Sequence, residues 1–162
     1  MPKNSPNRLA VVILAAGKGK RMKSDLPKVM FDLAGWPLVR HVVEIARALR
    51  PERLVVVVGH GKKLVEEAVG GKTDGVPEVE VVVQRQQRGT GHAVRCAEKA
   101  LSGFEGSVLA VREDKDATAA EKAVDEVNTG ILAFDAGKLW PALGKLKANN
   151  AQGEFYLTDV PG

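Results

Sequence analysis

With one cysteine, Cys96, the chain excludes an internal disulfide framework and any cysteine-clustered zinc site. Aromatic residues are only 4% of the total, too few for the stacking platform of a single-stranded nucleic-acid binder. No apolar run approaches the ~18 residues that a membrane span needs. Met1 to Leu9 is polar and leads straight into an apolar stretch, which is unlike a secretory signal. Internal repeats and low-complexity linkers are absent as well. At 162 residues, the expectation is one soluble, cytoplasmic domain over 1–162, long enough to bury a proper core. Neither nucleic acid nor a membrane is expected as its partner.

What the sequence does have is a modest excess of base: a formal charge of +4 and a pI near 9.3. Several of the basic residues gather in one loop around Lys18 rather than forming a run. That distribution suits a small polyanion, such as a phosphorylated substrate, better than a polymer.

Four valine-rich stretches, Leu9–Leu14, Leu54–Val58, Val79–Val83 and Val108–Val111, read as strands buried on both faces. Helical patterns separate them. Leu38, Val42, Ile45 and Leu49 recur at helical spacing, with Arg40, Glu44 and Arg47 opposite. Pro37 suits the first turn of that helix and Pro51 its end. A second helix is expected over Lys62–Val69. A third starts near Thr90, with Ala93, Ala97, Ala100 and Leu101 on one face. Further on, Val127–Phe134 reads as a strand, Lys138–Lys147 as a helix and Asn149–Glu154 as a loop. Alternation of this kind implies α/β architecture, a mostly parallel sheet flanked by helices.

In an open parallel sheet, ligands bind beyond the carboxyl ends of the strands. The first strand ends in Ala15-Ala16-Gly17-Lys18-Gly19-Lys20-Arg21-Met22. Small residues let the backbone approach a ligand, glycine permits unusual dihedrals, and exposed N–H groups can point at phosphate oxygens. Lys18, Lys20, Arg21 and then Lys28 add positive charge, a combination suited to a nucleoside triphosphate. The dinucleotide fingerprint fails, because Met22 stands at its third glycine. The "GKT" at Gly71–Thr73 is not a P-loop, because Glu66 stands where its first glycine belongs.

"LAAGKGKRM" followed by "LPK" resembles the signature of the nucleoside-triphosphate sugar transferases. The likeness continues in order through "VVGHG" (Val57–Gly61), "QRQQRGTGHA" (Gln84–Ala93), "EDKDAT" (Glu113–Thr118), "VNTGI" (Val127–Ile131) and "NNAQGEFYLTD" (Asn149–Asp159). That set is similar to the uridyltransferase domain of the bacterial bifunctional enzymes that make UDP-N-acetylglucosamine. The resemblance implies a Rossmann-like nucleotide-diphospho-sugar transferase fold, with a nucleotide part over 8–111 and a sugar-binding part over 112–162. It implies UTP and N-acetylglucosamine-1-phosphate as substrates and a product used in peptidoglycan and lipopolysaccharide precursor synthesis. On the same basis, Leu14, Ala15, Ala16 and Gly17 lie against the uridine, and Lys18 and Arg21 neutralise the triphosphate. Lys28 bridges the reacting phosphates. Gln84, Gly89 and Thr90 read uracil, Glu113 and Asn128 hold the sugar hydroxyls, and Tyr156 and Thr158 fall near the sugar phosphate. Mg2+ is the expected cofactor, because it binds through few carboxylates plus substrate phosphates.

Plainer readings stand beside these. Gln84 could end a strand in solvent, Gly89 and Gly91 could be helix-start punctuation, and Asn128 could satisfy backbone groups. His41 reads as a helix-surface residue, His92 as structural, Cys96 as packing, and Asp25 and Glu44 as solvated charges; none of the histidines is read as a metal ligand.

The chain also departs from the family pattern. In the family, the strand corresponding to Val108–Val111 runs into a "G-D-x-P" motif whose aspartate binds the metal. Here it passes directly into "VREDKDAT", so no residue of this chain is assigned as a metal ligand. Two other readings therefore stay open: a nucleotide-binding core without turnover, and a transferase for a different nucleotide and sugar. The sequence leaves homo-oligomer formation open.

Overall fold

The computed structural model describes residues 8–17, 24–59, 61–70, 77–112 and 130–160. Its centre is a sheet of five strands, which lie across it in the order Val79–Val83, Arg53–Val58, Leu9–Ala15, Ser107–Arg112 and Ile131–Asp135. These are β1 (Leu9–Ala15), β4 (Arg53–Val58), β5 (Val79–Val83), β6 (Ser107–Arg112) and β7 (Ile131–Asp135). The first four are parallel and β7 runs antiparallel to β6. Strand β1 lies between β4 and β6, with Ala15 level with Val58 and Leu14 level with Arg112. The mostly parallel α/β architecture expected from sequence is the one observed.

Side chains alternate across a strand, and here both faces are covered. Ala10, Val12, Val55, Val57 and Val108 pack on one face, under α3 (Thr90–Cys96) and α4 (Ala136–Lys145). Val11, Ile13, Leu54, Val56 and Val58 pack on the other, under α1 (Leu38–Ala48) and α2 (Lys62–Val69). That is why the strands read as unbroken valine runs. Each such valine removed from water contributes roughly 1.5–3 kcal/mol.

Several elements differ from expectation. The buried stripe of α1 is Val39, Val43, Ala46 and Arg47, while Ile45 is 70% exposed and Leu49 51%. The helix is rotated by one position from the apolar pattern because it must cover the valines of β1 and β4. Arg47, expected to face water, is buried. Its guanidinium donates to Glu44 Oε1 at 2.7 Å and to the Val69 carbonyl at 3.3 Å, so Glu44 is an ion-pair partner rather than a solvated charge. Pro37 occupies the N-cap position of α1, not its first turn. It also belongs to a hairpin that the strand patterns missed, β2 (Asp32–Leu33) with β3 (Trp36–Pro37). Ala34 and Gly35, both at positive φ, turn it. His41 is half-buried against this hairpin, its Nε2 2.7 Å from the Leu33 carbonyl. In the second half, α4 begins two residues earlier than expected because Asp135 caps it, accepting from the Lys138 N–H at 3.1 Å. The described part of the expected strand 127–134 is β7.

Candidate functional site

The carboxyl ends of β1, β4 and β5 converge at one edge of the sheet. Ala15 and Ala16 are buried there and Gly17 is exposed. The Ala16 carbonyl accepts a hydrogen bond from Gln87 Nε2, which ties the end of β1 to the loop between β5 and α3. Gly59 closes the same corner. A Cβ on it would lie 2.7 Å from the Ala16 oxygen and 2.6 Å from Gln87 Nε2, so only glycine lets these three segments meet. Gln87 was missed by the sequence reading. Its signal was present in the polar "QRQQRG" run, but nothing local says which glutamine turns inward.

Gln84 does not end its strand in solvent. It is 3% exposed. Its backbone N–H donates to the Val58 carbonyl at 2.7 Å, and its side-chain Nε2 donates to the Gly89 carbonyl at 3.1 Å. The same nitrogen lies 2.9 Å from Nδ1 of His92. Burial above all, then the Arg88 and Arg95 cations, lower the His92 pKa, and a hydrogen bond to the Gln86 backbone opposes them. His92 is half-buried and bonded directly to Gln84. Cys96, half-buried on α3, has its thiol pKa raised by burial, which suits packing rather than nucleophilic use.

Gly89, Thr90 and Gly91 are more than punctuation. Gly89 has φ +95, and a Cβ there would sit 2.5 Å from the Phe155 oxygen. Gly91 is buried, its N–H donating to that same oxygen at 2.8 Å, and the Phe155 N–H returns to the Arg88 carbonyl at 2.8 Å. Thr90 Oγ1 accepts from the Leu157 N–H at 2.9 Å. Residues 155–157 are thereby laid along the turn that opens α3. The structure thus brings Ala15–Gly17, Gln84, Gly89, Thr90, Tyr156 and Thr158 to one region. Thr158 is exposed there, while the Tyr156 hydroxyl donates to Gln152 Oε1 at 3.1 Å, across the Asn149–Glu154 loop. Leu14 is half-buried in β1 and packs against the face under α3 and α4. Lys28 opens a 3-10 turn (Lys28–Met30), and the preceding Pro27 is the side chain nearest Gly61, at the start of α2. Lys18, Arg21, Glu113 and Asn128 lie outside the described residues, as does Gly71–Thr73.

Arg85 and Arg88 are exposed beside Gln84, so the edge carries cations. A cavity of about 460 Å³ lies instead at the amino-terminal end of β6, lined by Glu98, Glu105, Asp135, Phe104 and Trp140 among others. Its charged lining residues are all carboxylates, which repel phosphate. Of these two places, only the glycine-rich edge carries exposed cations among its described residues.

The model of the MobA-like NTP transferase domain matches residues 11–124. The chain belongs to that family. Among relatives of this transferase domain, the bifunctional protein GlmU of Corynebacterium glutamicum is 38% identical over an alignment of 207 residues, covering 94% of this chain and 43% of the relative. The bifunctional protein GlmU of Burkholderia mallei is 40% identical over 200 residues, covering 93% and 43%. The chain thus spans less than half the length of these relatives. Both alignments are longer than the chain itself, so the relatives carry positions within the aligned span that this transferase domain lacks. A solved UDP-glucose pyrophosphorylase, complexed with UDP-glucose, superposes with a TM-score of 0.62 at 16% identity, covering 94% of this chain and 84% of that one. That likeness is one of fold.

Proposed function

We propose that this transferase domain transfers uridylyl from UTP to N-acetylglucosamine-1-phosphate, giving UDP-N-acetylglucosamine and pyrophosphate. The observation that carries the reading is the joining of Gln84, the Gly89–Gly91 turn and residues 155–157 beside Ala15–Gly17. The 38–40% identity to the bifunctional GlmU proteins supports it. In this reading, the small residues Ala15–Gly17 leave room for the uridine against the end of β1, beside Leu14. Gln84 and the backbone of Gly89 and Thr90 face the base, while the Thr90 hydroxyl holds residue 157 in place. Tyr156 and Thr158 border the sugar phosphate, Glu113 and Asn128 take the sugar hydroxyls, and 112–162 forms the sugar side of a single domain.

The sugar phosphate is already an anionic nucleophile. Its phosphate oxygen attacks the α-phosphorus of UTP in line, the bond from that phosphorus to the bridging oxygen breaks, and pyrophosphate leaves with the electron pair. The protein supplies position and positive charge. Lys18 and Arg21 draw charge from the triphosphate, and Lys28 holds the reacting phosphates together.

The family implies Mg2+, and the described carboxyl end of β6, Ala110 to Arg112, offers it no carboxylate. No group of three His, Cys, Asp or Glu side chains among the described residues could hold an ion. Strand β6 brings Ala110, Val111 and Arg112 to the edge beside β1, in register with Val12, Ile13 and Leu14. The same observation favours a second reading, a nucleotide-binding core without turnover. Pyrophosphate release from UTP and N-acetylglucosamine-1-phosphate, measured with and without Mg2+, separates them. Release supports the transferase. Absence of release, with UTP still raising the melting temperature, supports the binding core; absence of both overturns the site.

A further inference from the structure

Gln84 has only one hydrogen-bonding group left to offer a ligand. Both hydrogens of its amide nitrogen are committed within the protein, one to the Gly89 carbonyl at 3.1 Å and one to His92 Nδ1 at 2.9 Å. A carbonyl oxygen only accepts, so Gly89 dictates which end of the amide faces it. Turning the amide over would set Oε1 against another oxygen. His92 then has no choice of tautomer. The amide nitrogen only donates, so Nδ1 must accept and the ring proton sits on Nε2. The remaining group, Oε1 of Gln84, has no partner among the described residues. It can only accept.

We propose that His92 is a positioning residue that, by accepting from Gln84, makes this site select uracil over cytosine. Uracil carries a hydrogen at N3 and can donate to a fixed acceptor; cytosine presents a lone pair at N3 and cannot. The inference rests on the reading of Gln84 as a base contact and adds what sets its orientation. A proton arriving on Nδ1 of His92 reverses the arrangement, because two donors then face one another. Either the contact breaks or the amide turns and shows its N–H groups to the base. The charged groups facing the ring are Arg88, from the loop between β5 and α3, and Arg95, from α3 itself. Neither Asp159, on the turn packed against α3, nor Lys145, at the end of α4, contributes to the shift. Two cations and burial hold the ring neutral, so the acceptor state extends to the acid side of the ordinary histidine range.

The test is calorimetric titration of UTP and CTP into the wild-type chain, His92→Phe, His92→Asn and Gln84→Ala. Both ligands carry the same triphosphate, so the ratio of their affinities cancels its titration. The wild type is expected to prefer UTP by about tenfold or more, the value of one well-placed hydrogen bond against an unpaired buried acceptor. That preference is expected to shrink as pH falls through the acid side of the ordinary histidine range, by the protonation of His92, before cytosine N3 itself takes up a proton. His92→Phe is expected to reduce it about tenfold at neutral pH. His92→Asn, whose Oδ1 can accept in place of Nδ1, is expected to keep the preference, leaving only the pH response of cytosine N3 itself. A wild-type ratio that follows pH no differently from that of His92→Asn, or an unchanged ratio in folded His92→Phe, overturns the positioning role even if Gln84→Ala abolishes the preference. An unchanged ratio in Gln84→Ala overturns the base reading itself. If His92→Phe fails to fold, the wild-type pH series and His92→Asn decide.

Discussion

Replacing Gly89 with alanine tests how the nucleotide turn is joined to residues 155–157. Gly89 sits at φ +95 and ψ 177, a region that is essentially glycine's alone and costs another residue of order 1–3 kcal/mol. The added Cβ would also stand 2.5 Å from the Phe155 oxygen and 2.9 Å from its nitrogen, both backbone atoms that cannot turn aside as a side chain would. To relieve the overlap, Phe155 must move away from the turn. It then loses its bonds to Arg88 and Gly91, each worth about 1 kcal/mol. The total is about 3–5 kcal/mol, which lowers the melting temperature by something on the order of 10 °C in a chain of this size. Gly103→Ala is the control. Gly103 also has positive φ, +71, but a Cβ there meets nothing within 4 Å, so only the backbone cost of about 1 kcal/mol is expected. Thermal melts of the two variants, followed by UTP titration, read the difference. If Gly89→Ala melts with Gly103→Ala and binds UTP as the wild type does, the seating of residues 155–157 on this turn is wrong.

Gly59→Ala places a methyl 2.6 Å from Gln87 Nε2 and 2.7 Å from the Ala16 oxygen. It is expected to weaken UTP binding about tenfold by parting Gln87 from Ala16, measured by titration. On α1, Val43→Ala is expected to cost about 2 kcal/mol and Ile45→Ala less than about 0.5 in urea unfolding, because Val43 is fully buried and Ile45 is 70% exposed. The reverse order would restore the helix face expected from the apolar pattern. Arg21→Ala is expected to abolish pyrophosphate release with the melting temperature unchanged, and retention of wild-type rates would remove Arg21 from the triphosphate. His92 binds a proton less readily folded than unfolded, so its share of stability is complete above the ordinary histidine value. That share is lost as pH falls through the window down to the folded pKa. Comparing the acid limb of stability in His92→Asn with the wild type checks this sign.

By itself the sequence determined the strands of the central sheet, its mostly parallel arrangement and the glycine-rich end of β1, but not the small β2–β3 hairpin. Valine runs buried on both faces and the Ala15-Ala16-Gly17 end of β1 are local patterns whose physics needs no partner. The limits of α2 were legible for the same reason, its pattern running from Lys62 to Val69. Tertiary structure decided everything that depends on which neighbour a residue meets. The apolar spacing of α1 pointed to Ile45 and Leu49, but the valines below it turned the helix and drew Arg47 inward, where Glu44 and the Val69 carbonyl satisfy it. In the run from Gln84 to Arg88, three glutamines are alike as letters. Only contact with Gly89, His92 and Ala16 makes Gln84 a fixed acceptor and Gln87 a clasp between its loop and the end of β1. Hydrophobic periodicity reports how often a chain must face inward, whereas the direction of a buried amide is set by acceptors distant in sequence or across a turn.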